Sequence, residues 1–116
     1  MPIYRVWDVV KVPFPYTDRP VRQHRPALIV ASGRLETAHG LVWVVMITSA
    51  ENRRWENDVP VSDPAAAGLP APSLVRCAKI ATIDARDAER IGTLPKADRR
   101  KVALHLAQML ARVVSS

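Results

Sequence analysis

The stretch Leu41-Val42-Trp43-Val44-Val45-Met46-Ile47 is the longest uninterrupted apolar run in the 116-residue chain. It contains no polar side chain, so a strand built from it is apolar on both faces. Strands of this kind lie inside a sheet that is covered on two sides, rather than at an edge. The run is also far shorter than the roughly 20 residues that a membrane-spanning helix requires. It therefore predicts a central strand at the heart of the core.

Shorter strand patterns flank this run on both sides. β-Branched and aromatic residues cluster between turn signals, which predicts strands at Val6–Phe14, Ala27–Val30, Asp58–Val61 and Leu74–Ile83. Residues 15–24 are polar and interrupted by proline, which predicts a loop. After Pro95 the period becomes helical, and an apolar stripe predicted to face the core is formed by Val102, Leu106, Met109, Leu110 and Val113. We expect one domain, residues 1–116, that is mainly β: a small antiparallel barrel or curved sheet with a C-terminal helix.

Composition narrows the functional classes. The chain has 17 Lys and Arg against 11 Asp and Glu, a net charge of +6, which favours polyanionic partners. With 48% hydrophobic residues the chain can build a core without disulfide or metal cross-links. One cysteine and three histidines offer neither a disulfide framework nor metal-ligand spacing, so we expect no metal and no cofactor. The chain begins without an apolar signal segment, which predicts a cytoplasmic protein with no membrane association.

Polar groups stand at the ends of three predicted strands. They are His24-Arg25-Pro26, Thr48-Ser49, and Arg76 within Leu74-Val75-Arg76-Cys77. A rigid scaffold can present such groups together, and their charge outlines an anion site. The chain contains neither a Gly-rich phosphate loop nor a Gly-x-Ser-x-Gly elbow.

Several strings, taken in order, resemble those of the MazF/PemK-like toxin family over nearly the whole chain. The first is Asp8-Val9-Val10-Lys11-Val12-Pro13-Phe14-Pro15-Tyr16-Thr17-Asp18, followed by Arg25-Pro26-Ala27-Leu28-Ile29-Val30. The others are Ile47-Thr48-Ser49, Gly68-Leu69, Ser73-Leu74-Val75-Arg76-Cys77, Ile80-Ala81-Thr82-Ile83-Asp84 and Ile91-Gly92-Thr93-Leu94.

This resemblance implies a homodimeric, SH3-like barrel of the MazF/PemK/CcdB type that acts as the toxin of a type II toxin-antitoxin pair. It implies cleavage of single-stranded RNA, including mRNA, at short sequences without metal, by attack of a ribose 2′-OH on the adjacent phosphate. Arg25 and Arg76 would stabilise the phosphate oxygens, and Thr48 and Ser49 would add hydroxyl hydrogen bonds. The implied partners are the RNA substrate, a cognate antitoxin and, together with the antitoxin, operator DNA.

The chain departs from the family pattern at two positions. Some members carry Asp two residues after the Arg of the fifth predicted strand, where this chain has Ala78, and Trp7 replaces the usual Gly before Asp8. No acid or base can therefore be carried over at Ala78. His24 is an alternative proton-transfer group, because its unperturbed pKa near 6.5 suits that role.

A second set of residues is expected to contact RNA: Arg22, Arg53, Arg54, Trp55 and Lys79. Trp55 could stack a base while its neighbouring arginines hold phosphate, as in single-strand binders, or it could cap the core beneath a loop.

Two other functions compete with the ribonuclease. A non-catalytic nucleic-acid-binding module of SH3-like fold would keep the basic surface and need no acid or base, and Ala78 favours that reading. A topoisomerase poison is the third, although the toxins of that kind end in aromatic residues and this chain ends in Val113-Val114-Ser115-Ser116.

Overall fold

The structure is a computed structural model that describes residues 3–15 and 22–115, with the backbone alone for residues 14, 15, 22 and 23. Its strands are β1 (Asp8–Pro15), β2 (Arg22–Ala31), β3 (Leu41–Ser49), β4 (Asp58–Pro60), β5 (Ser73–Asp84) and β6 (Glu89–Thr93). Its helices are α1 (Arg34–His39) and α2 (Lys96–Ser115), and a short 3-10 helix, Ala85–Asp87, precedes β6.

The six strands form one antiparallel sheet in the order β4-β5-β3-β2-β1-β6. β3 lies inside the sheet, as its sequence predicts. Val44 and Val45 follow each other on β3 and are both fully buried, because a hydrophobic cluster covers each face. The prediction of a mainly antiparallel β fold with a C-terminal helix is confirmed. Within the described residues β4 and β6 do not pair, so hydrogen bonds between strands do not close the barrel-like sheet.

Helix α2 covers one of the two clusters with its first half only. Val102 is fully buried there beside Leu94, and Leu106 is half-buried. The predicted apolar stripe then leaves the core: Leu110 is 47% and Val113 is 73% exposed. The prediction that the whole stripe faces the core is therefore wrong, because α2 packs on β4 and β5 and its second half extends past them.

One helix, α1, and one strand, β6, were not predicted from the sequence. α1 has six residues, too few to display a helical period, and its one signal is Gly40, which ends it in the left-handed conformation with φ of 67°. β6 (Glu89–Thr93) contains Ile91-Gly92-Thr93, where the sequence indicates only the approach to α2. β2 also begins at Arg22. The His24-Arg25-Pro26 string therefore lies in a strand, whereas the sequence predicts a loop up to His24.

Neither helix in the described part of the chain has the length and apolar character needed to cross a membrane.

Candidate functional site

A cavity of about 650 Å³ opens where β2 begins and β3 ends. β2 and β3 run antiparallel with Ala27 opposite Met46, which places the start of one strand beside the end of the other. His24 and Arg25 of β2 and Thr48 and Ser49 of β3 all line the cavity. The structure thus brings together four of the five predicted catalytic residues.

The electrostatic character of the cavity is basic. Lys11 of β1 lines it too, because Lys11 lies opposite Pro26 in the β1–β2 pair and is exposed. With Arg25 it gives the cavity two cations, and no Asp or Glu is among the described residues that line it. The sequence analysis did not predict Lys11 as a site residue. The available signal was its position between Val10 and Val12, two buried residues on either side of it in β1.

The hydroxyl groups at the end of β3 are organised by the turn that follows. Asn52 donates from Nδ2 to Oγ1 of Thr48 at 2.6 Å. Its backbone N–H also bonds to the carbonyl of Ser49 at 3.1 Å, and the N–H of Glu51 donates to Oγ of Ser49 at 3.2 Å. Because both hydroxyl oxygens accept a bond from the turn, both hydroxyl hydrogens are left to donate to a ligand. Asn52 also lines the cavity and was missed from the sequence.

The opposite wall of the cavity is the 68–73 segment, which is held by backbone packing against β6. A Cβ atom on Gly68 would lie 2.0 Å from the carbonyl oxygen of Ile91, and one on Gly92 would lie 2.3 Å from the carbonyl carbon of Ala67. Gly68 also has a left-handed φ of 75°. Both positions therefore require glycine for this wall to form.

Arg76 does not line this cavity, which corrects the expectation that it joins Arg25. It is buried, and its guanidinium forms a fork with Asp58, with Nε–Oδ1 at 3.2 Å and Nη2–Oδ2 at 3.0 Å. Nη2 also donates to the carbonyl of Arg53 at 2.7 Å. The physical reason is register: Met46, Arg76 and Asp58 lie opposite one another on β3, β5 and β4.

The residues expected to contact RNA lie in three places. Arg53, Arg54 and Trp55 are exposed on the loop between β3 and β4. Lys79 is exposed on β5, at the register shift that separates the Val45–Ile80 pair from the Met46–Arg76 pair. The side chain of Arg22 lies outside the described residues.

Cys77 is no candidate nucleophile. Its side chain is fully buried, and burial, with the nearby Asp58 carboxylate as a smaller cause, raises the pKa of the thiol to about 11. The thiol therefore stays protonated at neutral pH. Across the described residues, no group of three His, Cys, Asp or Glu side chains could hold a metal ion.

Comparison with known proteins assigns the chain to a known family. The sequence model of the family described as the PemK-like, MazF-like toxin of type II toxin-antitoxin systems matches residues 5–110. The chain belongs to this family, as its motifs predict. No curated protein matched the chain in sequence.

Solved structures agree with this assignment. MazF from Deinococcus radiodurans is 20% identical with a TM-score of 0.72, covering 91% of this chain and 94% of its own. The Mycobacterium tuberculosis toxin MazF-mt6 is 25% identical with a TM-score of 0.66, covering 88% and 95%. A mycobacterial endoribonuclease solved with its cognate antitoxin is 20% identical with a TM-score of 0.69, covering 91% and 93%.

The position before Asp8 keeps a glycine-like backbone despite its Trp side chain. Trp7 has a φ of 82°, in the region that L side chains rarely adopt. Its N–H donates to the carbonyl of Ile29, and its carbonyl accepts from the N–H of Leu94. These bonds tie the residue before β1 to β2 and to the segment between β6 and α2. The ring packs against the core, which offsets the backbone strain.

Proposed function

We propose that the protein is a metal-independent endoribonuclease that cleaves single-stranded RNA, mRNA included, at short sequences and so inhibits growth from the cytoplasm. The observation that carries this proposal is the cavity that places two cations, an imidazole and two hydroxyl groups around one space. A phosphodiester fits that set of groups, because cations and hydroxyl donors stabilise charge on phosphate oxygens. Family membership and the endoribonuclease of similar fold support the same activity.

In the proposed reaction a ribose 2′-OH attacks the adjacent phosphorus, and the bond from phosphorus to the 5′-oxygen of the next nucleotide breaks. The products are a 2′,3′-cyclic phosphate and a free 5′-hydroxyl. Arg25 stabilises the equatorial oxygens with its planar fork, and Thr48 and Ser49 donate hydrogen bonds to them. Lys11 holds the phosphate as a point charge.

Proton transfer requires a base for the 2′-OH and an acid for the departing 5′-oxygen. His24 is the one imidazole among the described cavity residues, so we assign it one of these roles. Ala78 is exposed on β5 and supplies no carboxylate.

The test is cleavage of a long, unstructured RNA by the purified protein in EDTA, with DNA of the same sequence as a control. We expect RNA to be cut and DNA to remain intact, because DNA lacks the 2′-OH. Arg25→Ala should lower turnover about 100- to 1,000-fold, the usual effect of losing one charge-stabilising donor. Arg25→Lys should restore part of this loss, and Arg100→Ala, which removes an exposed charge on α2, should have no effect.

Cleavage only after a divalent ion is restored, or equal cleavage of DNA, would contradict the 2′-OH mechanism. RNA that is bound and never cut would instead support the non-catalytic binding module. For His24→Ala we expect a smaller loss with an altered pH–rate profile, and an unchanged profile would remove His24 from proton transfer.

We also propose that the protein is a homodimer whose RNA-binding surface is covered by a cognate antitoxin. MazE-MazF complexes and the mycobacterial complex are among the structures of similar fold. Light scattering of the free protein measures the first part, and competition between RNA and antitoxin measures the second.

A further inference from the structure

Trp55 is held on the β3–β4 loop with one face of its ring against a guanidinium. The Cζ atom of Arg76 lies 4.1 Å from the ring centroid, within the range of a cation–π contact. The side chain of Trp55 nevertheless remains 46% exposed. A large aromatic ring is therefore fixed in place and presented to solvent.

The loop that carries Trp55 is ordered by a buried ion pair. The N–H of Trp55 donates to Oδ2 of Asp58 at 2.8 Å, and the N–H of Asp58 donates to the carbonyl of Trp55 at 3.2 Å. Arg76 bonds both to the Asp58 carboxylate and to the carbonyl of Arg53. At the far end of the loop, Asn57 has a φ of 71°, and Nδ1 of His105 lies 2.9 Å from its Oδ1. One ion pair thus fixes the backbone on both sides of the Trp55 ring.

The same loop begins in the wall of the cavity. Asn52 contacts Thr48 and lines the cavity, and Trp55 follows three residues later. The Cα atoms of Asn52 and Trp55 are therefore at most about 11 Å apart. A nucleotide next to a phosphate bound in the cavity would lie close to the Trp55 ring.

We infer that Trp55 is a base-stacking platform for a nucleotide of single-stranded RNA flanking the scissile phosphate, and that Arg76 is the positioning residue that holds it in place. The inference rests on the proposed function, because it assumes that RNA enters the cavity. Rings that need no rearrangement lose less entropy on binding, so a fixed platform gains affinity. Arg53 and Arg54 directly precede Trp55 in sequence and are exposed, so they can supply the phosphate contacts that single-strand sites combine with stacking.

The test uses a single-stranded oligonucleotide with 2′-O-methyl groups, which the proposed reaction cannot cleave, so binding is measured apart from turnover. Trp55→Ala should weaken binding about 10- to 100-fold, and Trp55→Phe should restore most of it. Trp43→Ala is the matched control, because Trp43 is also 46% exposed but lies on β3 about 17 Å along the strand from Thr48. This control should bind as the wild type does.

A scan with abasic nucleotides identifies the stacked base. At one position, loss of the base should weaken binding to the wild type by the same factor as Trp55→Ala, and should have little further effect in Trp55→Ala. If loss of the base and Trp55→Ala weaken binding independently at every position, so that their factors multiply, the platform is overturned. It is also overturned if Trp55→Ala binds with wild-type affinity.

The role of Arg76 is tested with Arg76→Lys, which keeps the charge and removes the planar fork. For cleavable RNA this variant should raise KM several-fold with kcat nearly unchanged, and should have no such effect in a Trp55→Ala background. A fall in kcat at saturating RNA would mean that Arg76 acts on the reacting phosphate and would overturn its positioning role. If Arg76→Lys does not fold, the Trp55 variants still decide the platform.

The outcomes separate this inference from the proposed function. Cleavage by the wild type with no effect of Trp55→Ala would overturn the platform alone. Binding that depends on Trp55 with no cleavage would overturn the ribonuclease alone. A wild-type protein that binds no single-stranded RNA would overturn both.

Discussion

Arg25 and Arg76 are the same residue type at two strand positions, yet their surroundings assign them different tasks. Arg25 is half-buried at the wall of the cavity, where a ligand can reach it. Arg76 has a side chain only 10% exposed, and it faces an Asp58 side chain that is fully buried. A guanidinium in that position stabilises the fold first, because the buried carboxylate beside it needs a partner.

The buried pair leads to a stability prediction. Arg76→Ala and Asp58→Ala should each lower the free energy of unfolding by about 3–5 kcal/mol, because each leaves an unpaired buried charge. The double variant Arg76→Met, Asp58→Leu should lose much less than the sum of the two. Urea unfolding measures all three. Single variants that unfold at the wild-type urea concentration would contradict the structural role of the pair.

A pH prediction follows from Cys77. Its pKa is raised to about 11 from an ordinary value of 9.0, so the unfolded chain loses the thiol proton more readily than the folded protein does. The contribution of the Cys77 thiol to the free energy of unfolding is therefore fully present below about pH 9 and is lost as the pH rises towards 11. Cys77→Ala should make the decline of unfolding free energy over this range shallower. Some decline should remain, because burial also raises the pKa of Tyr4. An identical decline in wild type and variant would contradict this assignment.

At the scale of elements, the sequence predicted what depends on local pattern. β3 and β5 are rich in β-branched residues, and α2 shows a helical stripe after proline. β6 depends on pairing with β1, and α1 is closed by glycine rather than by a periodic face, so neither has a local pattern to detect. The cavity residues were predicted because His24, Arg25, Thr48 and Ser49 stand at strand ends. Arg76 was misplaced because its partner, Asp58, is 18 residues away in sequence.

The contact between the 64–72 segment and β6 supports a prediction about the cavity wall. Gly92→Ala would place a Cβ atom 2.3–2.7 Å from backbone atoms of Ala67 and Gly68, so the segment must move. We expect a loss of about 1–3 kcal/mol in unfolding free energy, together with reduced RNA cleavage. Gly40→Ala is the control, because a Cβ atom there meets nothing within 4 Å and only the left-handed backbone, with φ of 67°, is strained. That variant should lose about 1–2 kcal/mol of stability and keep its activity. Equal activity losses in the two variants would contradict a specific role for this wall.

At the scale of the whole molecule, the chain carries a net charge of +6, and four of its cations lie along the proposed RNA path. Lys11 and Arg25 line the cavity, and Arg53 and Arg54 lie on the loop that begins in its wall. Asp8 and Asp58, two buried carboxylates, are instead paired with Arg90 and Arg76. Pairing within the fold keeps these two acids away from the cavity cations. On the loop itself, the exposed Glu51 and Glu56 balance the formal charge of Arg53 and Arg54.

This distribution predicts how RNA affinity depends on salt. Each phosphate contact to a single strand contributes about −0.7 to the slope of log affinity against log salt, so four cations in contact give a slope of about −3. The double variant Arg53→Ala, Arg54→Ala should bring the slope to about −1.5 and weaken binding at low salt far more than at high salt. Arg100→Ala removes one charge outside the proposed path and should leave the slope unchanged. Binding of the 2′-O-methyl oligonucleotide across a salt series measures all three proteins. If the slope becomes shallower by the same amount per charge removed in Arg100→Ala as in the double variant, net charge attracts the RNA rather than contact along this path.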